Sequence, residues 1–331
     1  MKTVCVGIIG TGMAGESHVK GYLAAGATVS VVYDPNPKNA KRLAEMTGAR
    51  CAESLVDIVN ADISAVSVCS PHPAHEEAAV LASNAGKHIL MEKPLAVSVK
   101  SAQRIASAVK KNKVLFMMGM THHWYPELLE ARRLQKDGQI GNVYMALDKM
   151  VFSTKGFLPW VFEKSKSGGG VFLENGIHAV DRLCWFFDDR VAEVTASVGG
   201  YTMKTDTEDN GIAFLRFTRG GIAAIVQSVS PGDHLDCDLE LFGTKGTIKI
   251  NTWKGYSLSN SETSLTRQCR SSMINLWDGI TEGIITEVAD FIDCIKKNKT
   301  PSVSIDDGVH ALSVVMAIYT ASKTGKTVKI K

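Results

Sequence analysis

Val4-Cys5-Val6-Gly7-Ile8-Ile9-Gly10-Thr11-Gly12-Met13-Ala14-Gly15 is the stretch on which the fold turns. Its apolar run ends in glycines, as a strand buried on both faces does. Residues 13–25 then read as a helix closed by Gly26. Gly10, Gly12 and Gly15 fit G-x-G-x-x-G, and Asp34 closes the following β-branched run, Thr28 to Tyr33, about 20 residues on. Strand, glycine turn, helix and a distant acid together make a dinucleotide fingerprint. Gly10 permits the turn, Gly12 lets a pyrophosphate approach, and Gly15 lets helix and strand pack closely. The backbone of Thr11, Met13 and Ala14 lies at the helix N-terminus, which favours an anion. Asp34 can accept both ribose hydroxyls and would repel a 2′-phosphate, so NAD is expected, with Lys38 near enough to leave some NADP use open.

Outward from this stretch, strand and helix signals alternate to about residue 120. Helices are expected over 38–46, 74–85 and 98–110, and strands over 63–69, 88–91 and 114–118. That alternation predicts an α/β, doubly wound parallel sheet over residues 1–121. Beyond residue 122 the pattern changes. Segments 142–152, 191–201, 211–218, 221–229, 235–242 and 246–251 are β-rich, and the turns Thr218-Arg219-Gly220-Gly221 and Phe242-Gly243-Thr244-Lys245-Gly246 look like hairpins. Residues 122–331 are therefore expected to form an α+β domain with an open, mostly antiparallel sheet. An amphipathic helix through Ile284, Val288, Phe291 and Ile295 and a last helix near 306–322 complete it.

Composition sets the outer limits. The 331 residues suggest two domains. The 37 basic and 34 acidic residues leave a charge of +3 with no basic stripe, which argues against nucleic acid. The longest apolar stretch, Ala311 to Ala321, is too short for a bilayer. The first apolar run leads into a glycine loop and not a cleavage site, so no secretory signal is expected. Seven cysteines without a C-x-x-C pair fit a reducing cytoplasm.

Two further segments bear chemistry. Cys69-Ser70-Pro71-His72-Pro73 with His75, and Met91-Glu92-Lys93-Pro94, both follow strands, where open α/β sheets bind ligands. Ser70, Pro71, His75, Glu92 and Lys93 are thus cofactor-side candidates. Later, Ser167-Gly168-Gly169-Gly170 leads into Val171-Phe172-Leu173-Glu174-Asn175-Gly176-Ile177-His178-Ala179-Val180-Asp181. If 171–186 is helical, Glu174, His178 and Asp181 share a face. A carboxylate one turn away can orient an imidazole whose ordinary pKa near 6.5 suits proton transfer. The adjacent His122 and His123 could suggest a metal. Neighbouring residues in an extended segment point apart, and no further ligand spacing supports one, so no metal site is expected.

Taken together, these residues resemble the glucose–fructose oxidoreductase / inositol dehydrogenase (Gfo/Idh/MocA) family. The matching pieces are the Gly10–Gly15 loop, Ser70-Pro71 with His75, Ala85 to Leu95 with its Glu92-Lys93-Pro94, Gly168-Gly169-Gly170, the His178 segment, and Asp307-Gly308-Val309-His310-Ala311-Leu312 near the end. The resemblance implies a Rossmann domain, a second domain whose open sheet mediates homodimers or homotetramers, and NAD-dependent oxidation or reduction of a sugar, cyclitol or glycoside. Lys93 matches the family lysine at the reacting oxygen, and His178 its acid/base. Glu174 stands where the family most often has Asp, which keeps the charge and adds a methylene. Lys93, His178 and Glu174 are the expected catalytic set, and His123, Trp160 and Asp181 the expected substrate contacts. Against this stands a non-catalytic NAD(H)-sensing regulator of the same fold, in which Lys93 and His178 would be dispensable.

Overall fold

A computed structural model describes residues 3–156, 159–232, 235–268 and 276–330. The chain divides into two compact units, residues 1–121 with 280–309, and residues 122–279 with 310–331.

In unit 1 the alternation is the one the sequence predicts. In chain order it runs β1 (Cys5–Ile9), α1 (Met13–Ala24), β2 (Thr28–Tyr33), α2 (Pro37–Thr47), β3 (Arg50–Cys51), α3 (Leu55–Val59), β4 (Ala65–Val68), α4 (His75–Asn84), β5 (His88–Glu92), α5 (Val99–Asn112) and β6 (Phe116–Gly119). The sheet order is β3-β2-β1-β4-β5-β6, all parallel. β1 and β4 are almost wholly buried because helices cover both faces. Local signals set the helix ends. Asn36 caps α2 by accepting from the Lys38 amide, with Pro37 in the first turn and Gly48 left-handed at the far end. The two-residue β3 and the five-residue α3 were not foreseen; elements so short carry no readable period.

Unit 2 continues with α6 (Pro126–Lys136), β7 (Val143–Ser153), α7 (Lys164–Ser167), α8 (Ile177–Phe187), β8 (Val191–Gly199), β9 (Asn210–Phe217), β10 (Ile222–Ser230), β11 (Asp236–Gly243), β12 (Gly246–Asn251), β13 (Gly255–Asn260) and β14 (Ser264–Gln268). The helices α9 (Leu276–Lys297) and α10 (Ile305–Thr324) and the short β15 (Val328–Lys329) follow. One sheet takes the order β14-β13-β12-β11-β7-β10-β9-β8-β15. Its ladders are antiparallel with one exception: β7 and β10 run parallel. A parallel pair needs a long crossover, and the chain between β7 and β10 carries α8. The two expected hairpins are present, at β9–β10 and β11–β12. β13 and β14 were not anticipated. They hold few apolar residues, and β14 is an exposed edge.

A division at residue 121 alone leaves 280–309 in the second half. By packing, that segment belongs to unit 1. Ile284, Val288, Phe291 and Ile292 of α9 are buried, and a Cβ on Gly21 of α1 would meet the Val288 side chain at 2.7 Å. The Met118 amide of β6 also donates to Val303 at 3.1 Å.

Candidate active site

In unit 1 the site begins where β1 ends. Gly10 has φ +89°, and a Cβ there would stand 2.6 Å from the backbone of Cys69 and Ser70. A side chain is excluded by both conformation and space. A Cβ on Gly15 would lie 2.2 Å from the Gly10 carbonyl, so α1 can pass this close to the turn only with glycine there. Gly12 is the opposite case, with no atom within 4 Å of a built Cβ. It is also the N-cap of α1 and offers no side-chain cap, so the first-turn amides have no side-chain acceptor at that position. An open approach onto uncapped amides is what a dinucleotide pyrophosphate requires, and the residues fit the group. Met13 is exposed and Ala14 half-buried beside this opening.

The Asp34 carboxylate is pinned to the same loop. Its Oδ2 accepts from the Thr11 amide at 2.9 Å and the Thr11 hydroxyl at 3.0 Å, and its Oδ1 from the Asn36 amide at 2.9 Å. Arg42 of α2 donates to the Thr11 carbonyl at 3.1 Å and to Glu16 at 2.7 Å.

His75 is fully buried between two loops. Its Nε2 lies 2.8 Å from the Ser70 carbonyl and its Nδ1 2.8 Å from the Pro94 carbonyl. Burial pushes its pKa down to about 4 against the pull of those carbonyls, so the ring is neutral at pH 7 and donates to only one of them. It therefore ties the Ser70-Pro71 loop to the Glu92-Lys93-Pro94 loop. Pro71 is exposed at the surface of that loop and Ser70 half-buried. The Lys93–Pro94 peptide is cis. Glu92 turns away from the surface. His18 Nε2 lies 3.1 Å from its Oε1, His18 Nδ1 lies 2.9 Å from the Ser67 hydroxyl, and the Tyr22 hydroxyl meets that of Ser67 at 2.7 Å. Burial works to raise the Glu92 pKa, but the His18 hydrogen bond and the Lys93 charge prevail and hold it below the usual range. The Lys93 amide donates to Glu92 Oε2 at 3.3 Å, so the carboxylate braces the residue that follows it. His18 was not singled out from sequence. The available signal was a histidine on the buried face of a helix three residues past Gly15.

In unit 2 the glycine triplet has a specific neighbour, Glu208. Its carboxylate accepts from the Gly170 amide at 2.9 Å, the Phe172 amide at 3.0 Å and the Tyr319 hydroxyl at 2.7 Å, while its carbonyl takes the Val171 amide at 3.0 Å. It thus satisfies the start of the helical segment from outside. A Cβ on Gly170 would stand 1.9 Å from the Glu208 carbonyl oxygen. No sequence pattern links residues 170 and 208.

The segment from 171 is not the uniform α-helix expected. Phe172–Gly176 is one π-helical turn, and α8 begins at Ile177. Glu174 thus lies on the π turn, and His178 and Asp181 lie on α8. Such turns recur at functional sites. Glu174 is half-buried and His178 is 8% exposed. Asp181, an expected substrate contact, has its Oδ2 2.7 Å from His123 Nε2, another of them. The His123 ring stacks on Trp185 with centroids 4.3 Å apart. His122 turns the other way and stacks on His178, centroids 4.3 Å apart and planes within 6°. The 121–124 segment is a 3-10 turn, not extended, yet the two histidines still part. Trp160 is half-buried in the 3-10 turn 159–162.

Beneath these rings lies a buried ion pair. Arg182 donates to Asp148 of β7 at 2.5 and 2.7 Å, and neither residue is more than 1% exposed. Full burial raises the Asp148 pKa against the opposing pull of the Arg182 charge and its two hydrogen bonds.

Residues 4–120 match the family model described as "Oxidoreductase family, NAD-binding Rossmann fold" (GFO_IDH_MocA), and residues 128–249 match the GFO/IDH/MocA C-terminal domain. The 1,5-anhydro-D-fructose reductase of Ensifer adhaerens is 28% identical over 98% of both chains. The myo-inositol 2-dehydrogenase of Thermotoga maritima is 24% identical, also over 98% of both. A levoglucosan dehydrogenase solved with NADH and levoglucosan has the same fold, with a TM-score of 0.90, 21% identity, and 99% and 100% of the two chains covered.

Proposed function

The chain belongs to the Gfo/Idh/MocA oxidoreductase family, and from that premise we propose that it moves a hydride between NAD and a secondary alcohol or ketone of a sugar, cyclitol or glycoside. The observation that carries this reading is the Asp34 carboxylate held against the glycine loop at an uncapped helix N-terminus.

When bound, NAD supplies the hydride acceptor at its nicotinamide ring. The amides at the start of α1, among them those of Met13 and Ala14, hold the diphosphate. Asp34 accepts ribose hydroxyls, and its charge opposes a 2′-phosphate. Ser70 and Pro71 line the same end of the sheet, with His75 fixing their loop. Lys93, braced by Glu92, presents its ammonium to the substrate oxygen and stabilises negative charge developing there. As the carbinol hydrogen leaves, an imidazole nitrogen of His178 takes the hydroxyl proton; in reduction it gives that proton back. Glu174, carried on the π turn, stabilises the charged imidazole. Trp160 and the His123–Asp181 pair meet the hydroxyl-bearing substrate.

The same reading covers assembly. The sheet face of unit 2 that carries Leu147, Ile212 and Phe214 is exposed, with these side chains 45%, 57% and 40% accessible. Ala224 lies between Phe214 and Leu147 in register, and Val226 opposite Ile212. An apolar strip of this kind is covered by association, here as a homodimer or homotetramer. The six described cysteines are free thiols, in keeping with a cytoplasmic protein. Among the described residues no helix is long and apolar enough to cross a membrane.

The testing experiment is a panel of sugars, cyclitols and glycosides offered with NAD or NADP, followed by the appearance of reduced cofactor. Turnover of at least one polyol with NAD supports the reading. Tight NADH binding without turnover of any member contradicts it.

A further inference from the structure

The Gly-Gly-Gly segment, the π turn and α8 bring His178 to its place, but the ring against it comes from elsewhere in the chain. His122 lies on the 3-10 turn 121–124, and its imidazole covers the face of His178 almost in parallel, at 4.3 Å and 6°. His122 also packs on Tyr125 at 5.1 Å, which in turn meets the edge of Trp253 at 5.1 Å. One guanidinium nitrogen of Arg182 stands 3.4 Å from His122 Nδ1. Arginine offers only donors, so Nδ1 is the acceptor and the proton of His122 sits on Nε2. A proton at Nδ1 would face that cation.

Arg182 is itself fully buried and held by several partners. Asp148 holds it with two bonds, and the Cys237 thiol of β11 lies 3.5 Å from the same nitrogen that faces His122. The Thr252 hydroxyl fixes that sulfur at 3.2 Å. Arg182 also follows His178 by one turn of α8. The helix that carries His178 therefore carries the anchor of the ring stacked on it. A fully buried arginine is costly unless it is paired, and here the cost supports one plane beside His178.

We propose that His122 is a positioning residue for His178. Its clamped ring fixes the plane in which the His178 imidazole works, and the plane rather than the hydrogen bond to Arg182 is what the reaction needs. This rests on the acid/base reading of His178. An aromatic face also accommodates the imidazolium that His178 becomes after taking a proton. Proton transfer needs the ring aligned, and misplacement by about 1 Å can cost a hundredfold in rate.

Three substitutions separate plane from hydrogen bond. His122→Ala removes both, His122→Asn keeps an acceptor for Arg182 without a ring, and His122→Phe keeps a ring without the acceptor. On the best polyol from the panel, kcat is expected to fall about 10- to 100-fold in His122→Ala and His122→Asn, with KM for NAD within about twofold. His122→Phe is expected to stay within about threefold of wild type. Wild-type kcat in His122→Ala, or rescue by Asn and not by Phe, overturns the proposal. A second measurement does not depend on turnover. Long-range proton–nitrogen spectra of the purified protein are expected to show His122 protonated at Nε2, and the His178 ring signals moving more in His122→Ala than in His122→Phe. An Nδ1-protonated His122, or His178 signals equally unmoved in both variants, overturns it even if no polyol is turned over. Failure of every polyol with these spectra as expected indicts the acid/base reading and leaves the stacked geometry standing.

Discussion

The Thr11 amide and hydroxyl both donate to one oxygen of Asp34, at 2.9 and 3.0 Å. The acid thus holds the glycine loop in shape, and in the proposed function it also selects the ribose. Asp34→Ala is expected to raise KM for NAD about 10- to 100-fold, since hydrogen bonds to a charged group contribute roughly 1.5–3 kcal/mol each. The change removes the charge that repels a 2′-phosphate, so the NAD-to-NADP ratio of kcat/KM falls with it. Steady-state kinetics with both cofactors check this. An unchanged ratio contradicts the role given to Asp34.

Gly10 and Gly12 are expected to fail in different ways. At Gly10 a side chain meets backbone at 2.6 Å and needs φ +89°. Gly10→Ala is therefore expected to cost about 2–3 kcal/mol and lower Tm by on the order of 5–10 °C. At Gly12 the Cβ has open space. Gly12→Ala is expected to keep its Tm within about 1 °C and to weaken NADH binding tenfold or more, because the methyl stands where the pyrophosphate approaches. Calorimetry beside NADH titration separates the two effects.

How much of this was legible in the sequence differs between the units. Unit 1 could be read because its signals are local: β1 is an unbroken apolar run, Gly10 must turn, and Gly48 and Gly86 stop their helices. Unit 2 yielded its hairpins for the same reason. What stayed hidden depends on pairs far apart in the chain. Glu208 caps Gly170, Asp148 holds Arg182, His123 takes Asp181, and nothing periodic joins the members of any pair. The π turn at 172–176 was also invisible, since Phe-Leu-Glu-Asn-Gly satisfies an α-helical pattern equally well. That segment 280–309 packs with unit 1 was not legible either, because an amphipathic helix does not reveal which core it faces.

His75 sets an acid limit on unit 1. Its pKa is lowered by burial to about 4, against an ordinary value near 6.5 in the unfolded chain. Between these values the unfolded state binds the extra proton, so stability rises with pH across the window. The contribution is fully present above about 6.5 and is lost as pH falls toward 4. At about 1.4 kcal/mol per pKa unit it amounts to up to about 3 kcal/mol. Urea unfolding at several pH values is expected to show this slope in the wild type and a flatter one in His75→Gln. Equal slopes contradict the assignment.

Phe214 and Ile212 lie side by side in the exposed strip of the unit 2 sheet. A charge placed there is expected to disrupt assembly and leave the fold intact. Ile212→Arg with Phe214→Glu should convert the proposed oligomer to a monomer in size-exclusion chromatography with light scattering, with an unchanged far-ultraviolet spectrum. An oligomer that persists through both substitutions places the interface elsewhere.

Lys93→Ala and His178→Ala, compared with wild type for NAD-dependent oxidation of the best polyol and for NADH affinity in parallel, bear most directly on the proposed chemistry. Loss of an acid/base group is expected to reduce kcat about 10²- to 10⁴-fold in His178→Ala, and a comparable loss is expected in Lys93→Ala, with NADH affinity retained in both. Near wild-type turnover in both variants would contradict the mechanism outright.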